Sequence, residues 1–232
     1  MGLRGVVFDL FGTLVEGWGT EMAATKADEV AEILGVPAPT FRELMAATYT
    51  PRACGQLGGP REMLARLCAM LGVDPGESAL AEAARHRVAQ FADVLSEPRP
   101  GVSSLLATLR DREIQVGLLS DCSGETPQLW PRLSWTGPIQ SAVLSWSEGA
   151  RKPAPALYRR VADLIQLEPT QCLYVGDGGS QELSGAERSG MRAVRLQVPR
   201  RDGDRLLQYD PDASWSGPAV SNLFGILPLL GA

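Results

Sequence analysis

Asp9 is the residue best placed to do chemistry in this chain of 232 residues. It follows the apolar run Gly5-Val6-Val7-Phe8, and Leu10-Phe11-Gly12-Thr13-Leu14 comes directly after it. Such a run is typical of a buried parallel strand, and ligands of open α/β sheets bind beyond the carboxyl ends of the strands. We therefore predict a reactive carboxylate where the first strand ends, with Gly12 allowing a sharp turn beside it. The alternative is that Asp9 only stabilises a turn, as Asp often does.

Three further polar side chains fall at the predicted ends of elements. Ser120 ends the run Val116-Gly117-Leu118-Leu119, and Lys152 precedes a proline that can open a helix. Asp177 follows Leu173-Tyr174-Val175-Gly176, with Glu182 five residues later. Each has an ordinary alternative role: a helix N-cap, a solvated cation or a turn former. Their occurrence together, in this order, favours one shared site.

The elements that must position these side chains alternate between two types. Helical patterns follow most of the short apolar runs, at about 101–112, 153–164 and 181–190. Strand, helix, strand repetition predicts right-handed crossovers and an α/β fold, with a parallel sheet and helices on both faces. The five runs that predict strands are Gly5–Phe11, Gln115–Ser120, Ser141–Leu144, Cys172–Gly176 and Met191–Leu196.

One interval, residues 16–98, contains no strand pattern. Apolar residues recur there at helical spacing over 25–34, 41–47, 60–71 and 78–95. A helical insertion directly after the first strand would lie over the carboxyl end of the sheet, where a lid belongs. Beyond it, we expect the polar tail at 200–218 to wrap the surface and residues 220–230 to form a short closing helix.

Taken together, the four motifs resemble those of the haloacid dehalogenase-like (HAD) hydrolase superfamily. The matching stretches are Phe8 to Leu14, Ser120, Lys152-Pro153, and Gly176-Asp177 with Glu182. The helical insertion is similar to that family's cap, which lies between the first and second motifs. The resemblance covers the chain apart from its tail. It implies a Rossmann-like core at 1–15 and 99–232, and a small all-helical cap domain at 16–98.

The resemblance also implies a reaction. Asp9 would act as a nucleophile and form a covalent ester or acyl phosphate, which divides one difficult displacement into two easier ones. Attack by an anion on a phosphate dianion needs positive charge nearby, which Mg²⁺ bound by oxygen ligands supplies. Ser120 and Lys152 would hold the non-reacting oxygens. By analogy with the family, the metal ligands would be Asp9, the main-chain carbonyl of Phe11, Asp177 and, directly or through water, Glu182.

Phe11 departs from the family pattern. Phosphatases of the superfamily carry a second aspartate at this position, which serves as general acid and base, and phenylalanine cannot transfer a proton. The chain should therefore act on a small phosphorylated metabolite with a good leaving group, or receive the proton from a cap residue. An alternative is a metal-independent 2-haloacid dehalogenase, because such enzymes carry a tyrosine at this place. Against this, Gly176-Asp177 with Glu182 is a metal-binding pattern. A weakly active or non-catalytic binding module is the third possibility.

The substrate is expected to be a small anionic molecule. Arg52, in the glycine-rich stretch 50–59, is a candidate for binding its charge, although a solvated arginine in a connecting loop is the commoner case. Asp121 lies next to Ser120 and is a second candidate for the pocket. Asp121 or Glu125 could stand in as the proton donor.

Composition excludes several other classes. Hydrophobic residues make up 44% of the chain and the net charge is −5, with no basic stripe, so we expect no nucleic-acid partner. No stretch reaches the roughly 18 apolar residues of a membrane span, and the N-terminus shows no signal pattern. We expect a cytoplasmic monomer or homodimer. The four cysteines are widely spaced, which indicates free thiols.

Overall fold

A single parallel sheet forms the centre of the protein. The computed structural model describes residues 2–199, 207, 209–213 and 215–231. The six strands are ordered β3-β2-β1-β4-β5-β6, so the direction of winding reverses at β1. In chain order, β1 to β6 are Gly5–Phe8, Gln115–Ser120, Ser141–Leu144, Cys172–Gly176, Arg192–Leu196 and Ala219–Val220. This confirms the predicted α/β fold and adds β6, which is too short to carry a pattern.

The first strand is shorter than predicted, because pairing stops at Phe8. Beyond Asp9 the chain folds back, and the carbonyl of Leu10 accepts hydrogen bonds from the amides of Leu14 and Val15. Gly12 adopts a φ of 84°, a left-handed conformation that favours glycine. The turn predicted from Gly12 is therefore present, and it begins immediately after the carboxylate.

Helices cover both faces of the sheet. Val6 and Phe8 point to one face, where they join a cluster with residues of α6 (Val102–Asp111). Val7 points to the other face and packs with α9 (Pro155–Leu164) and α10 (Glu182–Arg188). The alternation follows from the two-residue period of a strand. Two short helices, α7 (Glu125–Leu129) and α8 (Ser145–Glu148), follow β2 and β3.

Five helices occupy residues 20–96, which we call the helical segment. They are α1 (Thr20–Leu34), α2 (Ala38–Ala47), α3 (Tyr49–Ala53), α4 (Pro60–Met70) and α5 (Gly76–Ser96). The sequence patterns indicated four of them; α3 lies in a stretch interpreted as a turn. The segment has its own apolar cluster within residues 27–84, while Phe91 and Leu95 of α5 join the core under the sheet. The chain enters and leaves it side by side, bridged between Val15 and Pro98. The domain division at 15/16 and 98/99 stays a prediction.

The C-terminal region differs from the expected surface strap and single helix. After β6, a 3₁₀ helix (Leu223–Ile226) leads into α11 (Leu227–Leu230). Residues 200–206, 208 and 214 of the predicted strap lie outside the described residues. Asp212, within it, is buried. No helix in the described ranges combines the length and apolar character needed to cross a membrane. All four cysteines are free and buried, as predicted.

Candidate active site

Four of the predicted residues meet beyond the carboxyl ends of β1 and β4. Lys152 joins two of them: its Nζ lies 2.6 Å from Oδ1 of Asp9 and 2.6 Å from Oε2 of Glu182. Asp177 directly follows β4, and oxygens of Asp9, Asp177 and Glu182 lie within 4.8 Å of one another. The sheet order explains the meeting, because β1 and β4 are neighbours and their carboxyl ends share one edge.

Hydrogen bonds from two further groups hold the Glu182 carboxylate in place. It is fully buried at the first position of α10. Its Oε2 accepts a hydrogen bond of 2.8 Å from the Tyr174 hydroxyl, and its Oε1 accepts one of 2.8 Å from the amide of Gly178. A methyl group on Gly176 would overlap this carboxylate. The Gly-Asp pair is thus explained physically: the glycine admits Glu182, and the aspartate follows at the strand end.

Burial and mutual repulsion dominate the electrostatics. Desolvation, together with the charge of Glu182, raises the pKa of Asp9 to about 7 against the opposing effect of Lys152. The pKa of Glu182 is also raised to about 7, by burial and by Asp177, again opposed by Lys152. Burial disfavours the Lys152 cation, but Asp9 and Glu182 outweigh it and hold the pKa of Lys152 well above its usual value. The site is therefore a carboxylate cluster with one firmly charged ammonium.

This donor set fits a divalent cation. Three carboxylates against one ammonium leave an excess of two negative charges when all are ionised. Oxygen donors from carboxylates are the ligands that Mg²⁺ prefers. The raised pKa values of Asp9 and Glu182 come first from burial and then from the neighbouring carboxylates, and a bound cation would offset both effects. Nothing in the structure defines a role for the Phe11 carbonyl, which stays a prediction.

Ser120 and Asp121 lie at the end of the neighbouring strand β2. Ser120 is fully buried, and its hydroxyl donates a hydrogen bond of 3.3 Å to the carbonyl of Asp121. Among the described residues that line the cavity above the site, Asp121 is present and Ser120 is missing. Oδ1 of Asp121 accepts a hydrogen bond of 2.9 Å from the backbone amide of Lys152. Asp121 therefore positions the lysine, besides facing the cavity.

A cavity of about 330 Å³ opens between the sheet edge and the helical segment. Asp9, Lys152 and Asp177 form one end, and Arg52 of α3 lines it from the helical segment. Arg52 is buried; its guanidinium donates hydrogen bonds to the Met45 carbonyl (2.7 Å) and the Thr48 hydroxyl (3.4 Å). Within the described ranges it makes no ion pair. Burial and then Arg87 lower the pKa of Arg52 to about 10, so it remains charged at neutral pH.

Phe11 belongs to an aromatic group on the cavity wall. Its ring meets that of Phe91 edge-on at 6.1 Å between centroids, and Trp18 meets Phe91 at 4.7 Å. All three residues line the cavity. Phe11 therefore places an apolar ring, packed against other aromatic rings, at the position where phosphatases of the superfamily carry a proton donor.

Glu125, one of the two suggested proton donors, is already engaged. It is fully buried, forms an ion pair with Arg87 of α5, and accepts a hydrogen bond of 2.5 Å from the Ser123 hydroxyl. Burial raises the pKa of Glu125, but Arg87 and Ser123 outweigh it and hold the pKa below its usual range. An ionised carboxylate paired with an arginine is a poor proton donor, so this arrangement does not support the suggestion, which stays a prediction.

Several residues at the cavity carried no signal in the sequence. Tyr49 and Tyr209 stack with centroids 3.6 Å apart and planes 7° from parallel, although 160 positions separate them in the chain. Arg87 and Phe91 lie on α5, and the sequence pattern there predicts only an amphipathic helix. Such residues are recruited by tertiary contacts alone, which no local pattern records.

The chain matches one protein family over most of its length. Residues 3–190 match the family described as haloacid dehalogenase-like hydrolase. A phosphoglycolate phosphatase of Xanthomonas campestris pv. campestris (strain 8004) is 28% identical over 218 residues, which cover 94% of this chain and 91% of the relative. A glyceraldehyde 3-phosphate phosphatase of Methanopyrus kandleri is 29% identical over 145 residues, 58% of this chain and 60% of the relative.

Solved structures show the same fold at lower identity. A 2-haloacid dehalogenase from Pseudomonas syringae pv. Tomato DC3000 superposes with a TM-score of 0.71 at 21% identity, covering 99% of this chain and 98% of that one. An enzyme of the family from Bacteroides thetaiotaomicron, in complex with magnesium and inorganic phosphate, gives 0.66 at 16% identity, covering 84% and 95%. The family match over residues 3–190 shows that this chain belongs to the haloacid dehalogenase-like hydrolase family.

Proposed function

We propose that this hydrolase removes the phosphoryl group from a small anionic metabolite through a covalent intermediate on Asp9, in a site that binds Mg²⁺. The observation that carries the proposal is the convergence of Asp9, Asp177 and Glu182, with oxygens within 4.8 Å, beside a single lysine. Phosphatases among the similar proteins support the reaction class. Three carboxylates around one ammonium have little use in a site without a cation.

Asp9 is the nucleophile in this proposal. One of its oxygens bonds to phosphorus as the bond from phosphorus to the leaving oxygen breaks, and water later cleaves the acyl phosphate. Lys152, at 2.6 Å from Asp9, holds the carboxylate in place and stabilises its ionised form. Asp9, Asp177 and Glu182 would hold Mg²⁺, which would supply positive charge at the phosphoryl oxygens.

Ser120 and Asp121 have supporting roles. Ser120 would donate its hydroxyl, which now bonds the Asp121 carbonyl, to a phosphoryl oxygen of the substrate. Asp121 fixes the backbone of Lys152 through its 2.9 Å hydrogen bond. A fixed amine positions its charge without further cost in conformational entropy when substrate binds.

Arg52 is proposed to bind a second anionic group of the substrate. It is a buried guanidinium whose described hydrogen-bond acceptors are uncharged oxygens, and burying a charge without a counter-charge is costly. A substrate carboxylate would supply the missing charge. The helix that carries Arg52 is anchored to the core, because the Ser145 hydroxyl donates a 2.7 Å hydrogen bond to the Ala53 carbonyl.

Dehalogenation is the second candidate, favoured by one observation. Phe11 packs with Phe91 and Trp18 on the cavity wall, which gives an apolar surface where a proton donor would otherwise lie. A halide leaves without a proton and would tolerate such a wall. The metal-binding geometry of Asp177 and Glu182 weighs against this candidate, as does the naming of the more identical relatives as phosphatases. A non-catalytic binding module is the third candidate.

A substrate panel with and without Mg²⁺ separates the candidates. It contains an aryl phosphate, acetyl phosphate, 2-phosphoglycolate, a sugar phosphate and chloroacetate. We expect Mg²⁺-dependent release of phosphate, abolished by EDTA and restored by Mg²⁺. Chloride release that persists in EDTA would establish dehalogenation instead, and background rates on every compound would favour a binding module.

A further inference from the structure

The C-terminal residues 209–212 lie against the loop that links the two predicted metal ligands of the fourth motif. Residues 178–181 connect Asp177 to Glu182, and two of them, Ser180 and Gln181, have φ angles of 54° and 49°. Left-handed conformations of this kind are unfavourable for L-residues other than glycine, so other contacts must maintain them. Those contacts come from the tail: the amides of Ser180 and Gln181 donate to the carbonyls of Tyr209 (2.7 Å) and Asp210 (2.9 Å).

The helix that begins with Glu182 has no capping side chain of its own. Its N-cap residue, Gln181, makes no side-chain capping bond. Asp212, 28 positions after Ser184, supplies the missing cap: its Oδ2 accepts a 2.8 Å hydrogen bond from the amide of Ser184, and its Oδ1 accepts one from the Ser184 hydroxyl. A carboxylate that accepts from the third amide of a helix normally belongs to the N-cap residue itself. It also meets the positive end of the helix dipole.

Asp212 also holds the other end of the loop. Its amide donates a 2.7 Å hydrogen bond to the carbonyl of Gly178, and its carbonyl accepts one of 2.7 Å from Arg195 of β5. Gly178 in turn donates to Glu182. Asp212 is buried, so these bonds are shielded from competing water. One tail residue therefore spans the loop from Gly178 to Ser184.

We infer that Asp212 is a positioning residue, which caps α10 from the C-terminal tail and thereby fixes Asp177 and Glu182 at the site. The inference about loop geometry is independent of the reaction, and only its consequence for Mg²⁺ rests on the proposed function. Removal of groups that orient metal ligands typically weakens metal binding by roughly 10- to 100-fold. The same range is expected here.

Hydrogen exchange read peptide by peptide tests the inference in Asp212→Ala, Asp212→Asn and wild type. We expect amide exchange within residues 177–186 to be fastest in Asp212→Ala and intermediate in Asp212→Asn, whose amide oxygen can still accept from Ser184. Exchange in α9 should not change. Asp163→Ala, which removes an exposed carboxylate on α9, is the matched control and should resemble wild type. Unchanged exchange at 177–186 in Asp212→Ala overturns the inference.

Mg²⁺ titration by calorimetry of the same variants provides the second readout. The dissociation constant should rise about tenfold or more in Asp212→Ala and less in Asp212→Asn. An Asp212→Ala protein with the affinity of wild type contradicts the positioning role. If wild type itself binds no Mg²⁺, the proposed function fails and the exchange data alone decide the inference. If Asp212→Ala does not fold, Asp212→Asn takes its place: faster exchange confined to 177–186 supports the inference, and none contradicts it.

Discussion

At the scale of single residues, the proposed reaction requires Asp9 as the nucleophile. Asp9→Asn keeps the size of the side chain and removes its charge, so turnover of any Mg²⁺-dependent substrate should fall to background while the fold persists. Thermal stability should not decrease, because burial and the charge of Glu182 together disfavour the Asp9 carboxylate more than Lys152 favours it, which is why the pKa of Asp9 is raised. Steady-state assays and a thermal melt check both parts. If Asp9→Asn retains more than a few per cent of the activity, Asp9 is not the nucleophile.

We expect Phe11 to determine which leaving groups the enzyme accepts. Phe11→Asp should introduce the missing proton donor and raise turnover of alkyl phosphates such as 2-phosphoglycolate, by up to about 10²-fold. Acetyl phosphate, whose leaving group needs no proton, should gain little. Phe11→Asn supplies polarity without an acid and is the control. Equal effects of Asp and Asn, or equal gains on both substrates, would show that proton donation does not limit the reaction.

At the scale of elements, a buried ion pair joins α5 of the helical segment to α7, which follows β2. Arg87 of α5 is 4% exposed and Glu125 of α7 is fully buried. Arg87→Met leaves the Glu125 carboxylate unpaired, which should lower the free energy of unfolding by about 3–5 kcal/mol. Adding Glu125→Gln should recover part of the loss, because the uncompensated charge is then gone. Urea unfolding of the single and double variants, with Arg85→Met on the exposed side of α5 as control, measures this.

The same ion pair should make stability depend on pH in the acid range. The pKa of Glu125 is lowered in the folded protein, so its stabilising contribution is present above its ordinary value of about 4.5 and is lost as the pH falls through the folded value. Wild type should therefore lose more stability than the Arg87→Met/Glu125→Gln variant on acidification below pH 4.5. If the free energy of unfolding falls equally with pH in the two proteins across this range, the assignment is wrong.

At the scale of the whole molecule, we expect the carboxylate cluster to make stability depend on Mg²⁺ and on pH. The pKa values of Asp9 and Glu182 are raised to about 7 from 3.8 and 4.5, so the metal-free folded state binds more protons than the unfolded state between those limits. Stability in EDTA should therefore fall as the pH rises from about 4.5 to 7. Mg²⁺ competes with those protons, so its stabilising effect should grow with pH. Thermal melts at pH 5.5 and 8 test this; an equal Mg²⁺ effect at both would contradict it.

Much of this architecture could be predicted from the sequence, for identifiable reasons. Apolar runs that end in Asp9, Ser120 and Asp177 define buried strands, and the edge they share follows from parallel pairing. What could not be predicted depends on contacts between distant positions. The capping of α10 by Asp212 and the stack of Tyr49 on Tyr209 involve a tail without periodicity, and α3 is too short to establish a helical period.

The measurement that most directly tests the central claim is calorimetric titration of Mg²⁺ into the wild-type protein and into Asp177→Asn at pH 8. It needs no knowledge of the substrate. We expect one Mg²⁺ per chain in wild type, and an affinity at least about tenfold weaker once the Asp177 carboxylate becomes an amide. Absence of binding to wild type, or equal affinity in both proteins, would contradict a metal site built from Asp9, Asp177 and Glu182.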